Sequence, residues 1–275
     1  MWMRVISIIN LKGGVAKTTT AVNMAWLLAE KHGKRVLLVD MDKQGHASRF
    51  YGVRSEEKNS VADVLLYKCK IDEAVVRPQY CTKKGVSLDV LPSNMALFVA
   101  NKYILLDGVN VQQTRLSEML KEYSDWWEYV VIDHAPDIAM ANINGLVASD
   151  DVIVPVMLDD YALDGLDILC DQISTLKRGF NRNLKLIGCL PVGVQRTRIA
   201  QAALSALGQS GLPIFENGVR FTCKVSESAS LHLPLSEYAP QATASYDYQR
   251  MVDEYLRKVS IMDTGRAGTE NGNEI

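Results

Sequence analysis

The chain has 275 residues, of which 48% are apolar and 23% charged, and its formal net charge is −2. That length suits one large α/β domain or two small ones, and the apolar share leaves ample material for a core. The near-balanced charge excludes a uniformly basic nucleic-acid binder, so any such contact needs a local basic patch.

No apolar run reaches the roughly 18–20 residues of a membrane span, and Met1-Trp2-Met3-Arg4 lacks the shape of a signal peptide. The five cysteines, at 69, 81, 170, 189 and 223, are odd in number and show no C-x-x-C spacing. They read as free thiols in a reducing compartment, so a cytoplasmic protein is expected.

Val5–Ile9 is a short β-branched run, read as a buried strand. Residues 10–20 form a glycine-containing loop and a helix start. Ala21–Lys31 has helical composition, with Gly33 just beyond it. Arg35–Asp40 is a second strand, so the first 40 residues make a βαβ unit with parallel, buried strands. Short helices are expected at Ser60–Leu66 and Ile71–Val76, then a strand at Leu88–Leu91 ending at Pro92. Ala96–Leu106 and Thr114–Tyr123 are helical, and Tyr129–Asp133 and Asp151–Val156 are strands. The helix Leu163–Leu176, the strand Leu184–Pro191, the helix Gln201–Leu207 and a short strand at Pro213–Phe215 follow. Ser245–Val259 is a terminal helix, and Gly-rich, polar Ile261–Ile275 reads as a disordered tail. This alternation predicts an α/β fold, doubly wound with a mostly parallel sheet, in one domain spanning residues 1–260.

Lys12-Gly13-Gly14-Val15-Ala16-Lys17-Thr18-Thr19 lies between a strand and a helix, the setting a phosphate-binding loop requires. The glycines let successive amides turn inward toward phosphate oxygens, and the helix N-terminus adds its positive dipole end. Lys17 supplies a cation for the β- and γ-phosphates, and Thr18 a hydroxyl for Mg²⁺. The standard G-x-x-x-x-G-K-[ST] pattern is not met. Asn10 or Leu11 stands at its first glycine and Ala16 at its last.

Two further groups of acids complete the candidate site. Asp40 and Asp42 lie at the end of RVLLVDMD, where alternate residues share a face and point to the crevice at the carboxyl edge of the sheet. Asp133 ends YVVID and suits a Walker-B-type magnesium ligand, acting through water. His134 beside it reads as a loop residue and not a catalyst.

With its extra lysine, K-G-G-x-x-K-T-T resembles the deviant Walker A motif of the ParA/MinD superfamily of P-loop NTPases. The resemblance extends over residues 4–258 and is greatest to short, Soj-like ParA partition ATPases. It implies that Lys12 reaches across a nucleotide-sandwich dimer to the partner's phosphates, and that Asp42 orients or deprotonates the attacking water. It also implies that Asp40 helps organise magnesium and its waters. The family's D-x-D-P-Q-G reads Asp40-Met41-Asp42-Lys43-Gln44-Gly45 here, and its D-x-P-P reads Asp133-His134-Ala135-Pro136. The cofactors implied are ATP or ADP with Mg²⁺. The partners implied are a second copy of the chain, a ParB-type activator and DNA bound without sequence preference, so the ATP form would sit on the nucleoid.

Where such relatives carry arginines in R-Y-D-P-R-S-R-G, this chain has Glu237-Tyr238-Ala239-Pro240-Gln241-Ala242-Thr243-Ala244, with no base. DNA contact would therefore fall to Lys177, Arg178, Arg182 and Lys185, or to Arg196, Arg198, Arg220 and Lys224. Either group reads equally well as a solvated face. A MinD-like membrane regulator fits less well because Glu270 and Glu274 stand in the tail. An iron–sulfur reductase lacks the cysteine arrangement. A scaffold that has lost hydrolysis would have no need of Lys12, Lys17, Asp42 and Asp133 together.

Overall fold

The computed structural model describes residues 3–270. Strand β1 (Arg4–Ile8) leads into α1 (Lys17–Glu30) and then β2 (Val36–Met41). Four short helices follow, α2 (His46–Phe50), α3 (Val61–Leu65), α4 (Ile71–Ala74) and α5 (Gln79–Lys84), before β3 (Leu88–Leu91). Next come α6 (Ala96–Leu106), α7 (Arg115–Lys121), β4 (Tyr129–His134), α8 (Met140–Ala148) and β5 (Asp151–Met157). The chain continues through α9 (Leu166–Gly179), β6 (Lys185–Val194), α10 (Arg198–Gln209) and β7 (Val219–Arg220). It closes with α11 (Cys223–Ser230), α12 (Leu235–Tyr238) and α13 (Thr243–Glu270).

The strands form one parallel sheet in the order β3-β2-β4-β1-β5-β6-β7. This is the doubly wound, parallel arrangement expected from the alternation of elements. Period-two alternation assigns the two faces. Ile6, Ile8, Val36, Leu38 and Val131 pack with α1 and α13, while Val5, Leu37, Val39, Val130 and Ile132 pack with α3, α6, α7 and α8. A third cluster joins Val152, Val154 and Val156 to α9 and α10. Among the described residues no helix is long and apolar enough to cross a membrane.

Several expectations are corrected. Pro213–Phe215 is reduced to one bridge, Ile214 to Cys189, and the sheet edge is instead the two-residue β7. Helix α8 was not expected. It is buried almost all round and contains Gly145, so it has no polar stripe to give a 3.6-residue period. The terminal helix runs on to Glu270, where composition pointed to a tail from Ile261; residues 271–275 lie outside the described residues.

Candidate functional site

The site lies at the carboxyl edge of the three neighbouring strands β2, β4 and β1. Asp40 and Asp133 are register partners on β2 and β4. Adjacent strands lie only about 4.8 Å apart, so two carboxylates in register repel strongly. Alternation also puts both acids on the α1 face, beside the start of α1, where Lys17 and Thr18 stand.

The phosphate loop turns on two residues in the left-handed region. Gly14 has φ 75°, and Ala16, the N-cap of α1, has φ 59° and ψ 29°. Ala16 thus adopts the left-handed conformation that glycine serves in the standard motif. A Cβ in that region costs roughly 1–2 kcal/mol. Ala16→Gly is therefore expected to stabilise the nucleotide-free protein by about 0.5–1 kcal/mol, once the greater freedom of glycine in the unfolded chain is subtracted. Urea denaturation of the two proteins checks this. Buried Asn10, at the start of the loop, anchors it: its Nδ2 donates to Pro155 O (2.8 Å) and its Oδ1 accepts from Lys12 N (3.0 Å). No sequence signal marked Asn10 for this part.

Lys17 is buried, and its Nζ donates to the Lys12 carbonyl at 2.7 Å. Burial lowers its pKa from the usual lysine value, while the charges of Asp133, Asp42 and Asp137 oppose that shift. Asp133 is fully buried, and neither carboxylate oxygen has a hydrogen-bond partner. Burial, with Asp40 and Asp42 close by, drives its pKa well above the carboxylate range; the Thr18 hydroxyl and Lys17 pull the other way. Asp40 is also buried but fully employed. Its Oδ2 accepts from Ser48 N (2.8 Å) and Ser48 Oγ (2.6 Å), and its Oδ1 from Asp42 N (3.1 Å). Asp42 is half-buried just past the end of β2, and its Oδ1 accepts from Gln44 N at 2.9 Å. The glycine of that motif, Gly45, has φ 63°, and a Cβ there would meet Ser93 O at 2.9 Å.

An unpartnered buried carboxylate next to a threonine hydroxyl and two more acids is a donor set suited to a hard divalent cation. A lysine facing the same crevice from a helix N-terminus suits a polyphosphate. The residues therefore fit a magnesium nucleotide.

Lys12 points elsewhere. Its Nζ lies 2.7 and 2.8 Å from the two oxygens of Asp159, in the loop after β5, and 5.7 Å from the centre of the Tyr161 ring. His134 is not a loop residue: it is the last residue of β4, buried, and hydrogen-bonded to Ser7 and Asn142. Asp137 was also missed, since only the folded loop brings its charge to bear on Lys17.

The basic candidates fall on opposite ends of the sheet. Lys177, Arg178, Arg182 and Lys185 lie at the end of α9 and the start of β6, away from the phosphate loop. Arg196, Arg198, Arg220 and Lys224 lie beyond the carboxyl ends of β6 and β7. They cannot act as one patch. Within the second group, the Arg220 guanidinium is held by Asp247 at 2.7 and 2.8 Å, and Lys224 by Glu227 at 2.7 Å.

The parallel sheet, the strand–loop–helix turn and the acids at neighbouring strand ends define a P-loop nucleotide-binding protein. A family model described as an AAA domain matches residues 3–186. The chain is 31% identical to the sporulation initiation inhibitor protein Soj of Bacillus subtilis, over 91% of this chain and 97% of that protein. It is 32% identical to the chromosome-partitioning ATPase Soj of Thermus thermophilus, over 94% of this chain and 97% of that protein. Among solved structures it is similar to cobyrinic acid a,c-diamide synthase from Mycobacterium smegmatis, crystallised with an ATP analogue and magnesium. That match has a TM-score of 0.81 and 28% identity, covering 94% of this chain and 96% of the other. The chain belongs to the ParA/MinD superfamily, on its Soj-type branch.

Proposed function

We propose that the protein is a Soj-type ParA ATPase that hydrolyses ATP to ADP and phosphate and helps to partition plasmid or chromosome DNA in the cytoplasm. The observation that carries this reading is the meeting of Lys17, Thr18, Asp42 and the unpartnered Asp133 at one sheet edge.

The backbone of residues 12–19 cradles the phosphates, and Lys17 offsets charge on the β- and γ-phosphoryl oxygens. Thr18 and Asp133 would hold magnesium, with Asp40 behind them fixing Ser48 and the turn that carries Asp42. Bound Mg²⁺ neutralises charge on the phosphoryl oxygens. Asp42, more accessible than Asp40 or Asp133, orients the attacking water and receives its proton.

Lys12 completes the site of a second protomer in an ATP-driven sandwich dimer. It must first leave Asp159, a partly exposed ion pair whose loss costs only about 1 kcal/mol or less. Exposed Met95 just before α6, Phe98 and Val99 on α6, and exposed Ile138 after β4 supply apolar surface for that dimer. DNA contact falls to Arg196 and Arg198, which share the nucleotide's edge of the sheet and, among the described residues, have no acid bound to them in the manner of Arg220 and Lys224. Pairing the two copies doubles this basic surface, so DNA binding should need ATP and weaken with salt. A ParB-type partner is the expected activator.

The test is ATP hydrolysis with and without DNA, together with sizing in ATP and in ADP. Dimers in ATP, monomers in ADP and salt-sensitive DNA retention are expected. No hydrolysis under any condition refutes the reading. The neutralisation of Arg220 by Asp247 favours a second possibility, an ATPase that positions a protein cargo. Hydrolysis with ATP dimers but no DNA retention would select it.

A further inference from the structure

A second polar cluster lies on the α8 face of the sheet, behind the magnesium acids. Ser7 of β1 and His134 of β4 both point to that face. Ser7 Oγ lies 2.7 Å from His134 Nε2 and 2.7 Å from Ser149 Oγ. On the other side of the ring, His134 Nδ1 lies 3.1 Å from Asn142 Oδ1. All four side chains are buried.

The direction of these bonds follows from Asn142. Its Nδ2 reaches Ala135 O (2.9 Å), Asp137 O (2.7 Å) and Asp137 Oδ1 (2.9 Å). Three acceptors fix the amide with nitrogen toward the loop and oxygen toward the imidazole. His134 Nδ1 must then carry the proton, and Nε2 accepts from Ser7. Donors run one way, from Ser7 through His134 and Asn142 onto the backbone that follows Asp133.

The fold makes concessions to keep this chain of bonds. A Cβ on Gly145 would stand 2.5 Å from His134 Cε1, so the middle of α8 is glycine where alanine would favour the helix by about 1 kcal/mol. A buried imidazole and amide carry a further desolvation cost. In return, one short segment is tied down. That segment joins Asp133 to α8 and holds Asp137, whose charge acts on Lys17.

We propose that His134 and Asn142 are positioning residues that hold residues 135–139 so that Asp133 and Asp137 stay in place beside Lys17. They touch neither nucleotide nor metal and act through the loop. The inference rests on the hydrolase reading above for its effect on turnover, but not for its effect on the loop.

The experiment compares His134→Leu with His134→Asn. The asparagine amide spans the Cγ–Nδ1 half of the imidazole and keeps a donor toward Asn142; leucine fills the space without one. Asn142→Ala cuts the tie while leaving the ring, and guards against a leucine variant that fails to fold. In nucleotide-free protein, amides of residues 135 and 137–139 are expected to exchange about tenfold faster in the leucine and alanine variants than in wild type, with the asparagine variant near wild type. Single-turnover phosphate release should slow by about tenfold in the same two variants, with affinity for a fluorescent ADP analogue kept within about twofold. Wild-type exchange and turnover in the leucine and alanine variants overturns the proposal. So does a parallel loss of thermal stability and ADP affinity in all three, which marks a purely structural role. A wild-type protein that releases no phosphate, yet shows the exchange difference, defeats the hydrolase reading and leaves the positioning role standing.

Discussion

Lys17→Ala is expected to weaken magnesium-ATP binding by about 3 kcal/mol, roughly 100-fold, as measured by calorimetry. Lys17 is buried at the amino end of α1, and its ammonium donates a hydrogen bond to the Lys12 carbonyl. That neutral acceptor is a weaker partner than a phosphate oxygen, so the ammonium is free to exchange one for the other at little cost. Its charge also offsets Asp42, Asp133 and Asp137 across the crevice. Removing it takes away the contact to phosphate and leaves three acids facing an anion. Affinity within about threefold of wild type would show that the loop holds phosphate by its amides alone, and the role given to Lys17 would be lost.

Asp42→Ala should behave differently: nucleotide binding kept within a few fold, hydrolysis slowed by at least about 100-fold, and the ATP dimer correspondingly longer-lived. Of the acids at the neighbouring strand ends, Asp40 spends both oxygens on Ser48 and the Asp42 amide, and Asp133 is fully buried. Asp42 alone of the three is half-buried, with one oxygen held by the Gln44 amide. It can therefore meet water without unfolding the turn that carries it. Phosphate release beside wild type, with sizing in ATP, measures both effects. Undiminished turnover would move the water-activating role elsewhere, with Asp137 the next acid to try.

The phosphate loop and the acids were legible because each sits where a periodic pattern breaks. The β-branched runs Val5–Ile9 and Tyr129–Asp133 end in polar residues at one sheet edge, and K-G-G-x-x-K-T-T fills the turn after the first. The parts that could not be read depend on distant partners. Asn10 showed no role in the sequence, because the Pro155 carbonyl that accepts from its side chain lies far along the chain. Arg220 looked like a free base until folding brought Asp247 to it across 27 residues of chain. His134 looked like a loop residue because its supports, Ser7, Asn142 and the bare Cα of Gly145, come from another strand and a helix. Two-residue β7 is too short to show any period, and α8 too uniformly buried. Ala16 illustrates the reverse case, a non-glycine in a glycine's conformation, where the loop's shape prevails over the local preference of its residue.

The packing of α13 on α1 ties together two segments that are distant in the chain. Met251, Val252, Tyr255 and Val259 cover the same core as Met24, Trp26 and Leu28, and the Tyr255 hydroxyl is tied to Asp151 at the base of β5. Helix α1 (Lys17–Glu30) thus depends for its cover on side chains that lie far along the chain, in α13 (Thr243–Glu270). A polypeptide without α13 would carry that helix with its greasy flank bare, so the far end of the fold guards the integrity of its beginning.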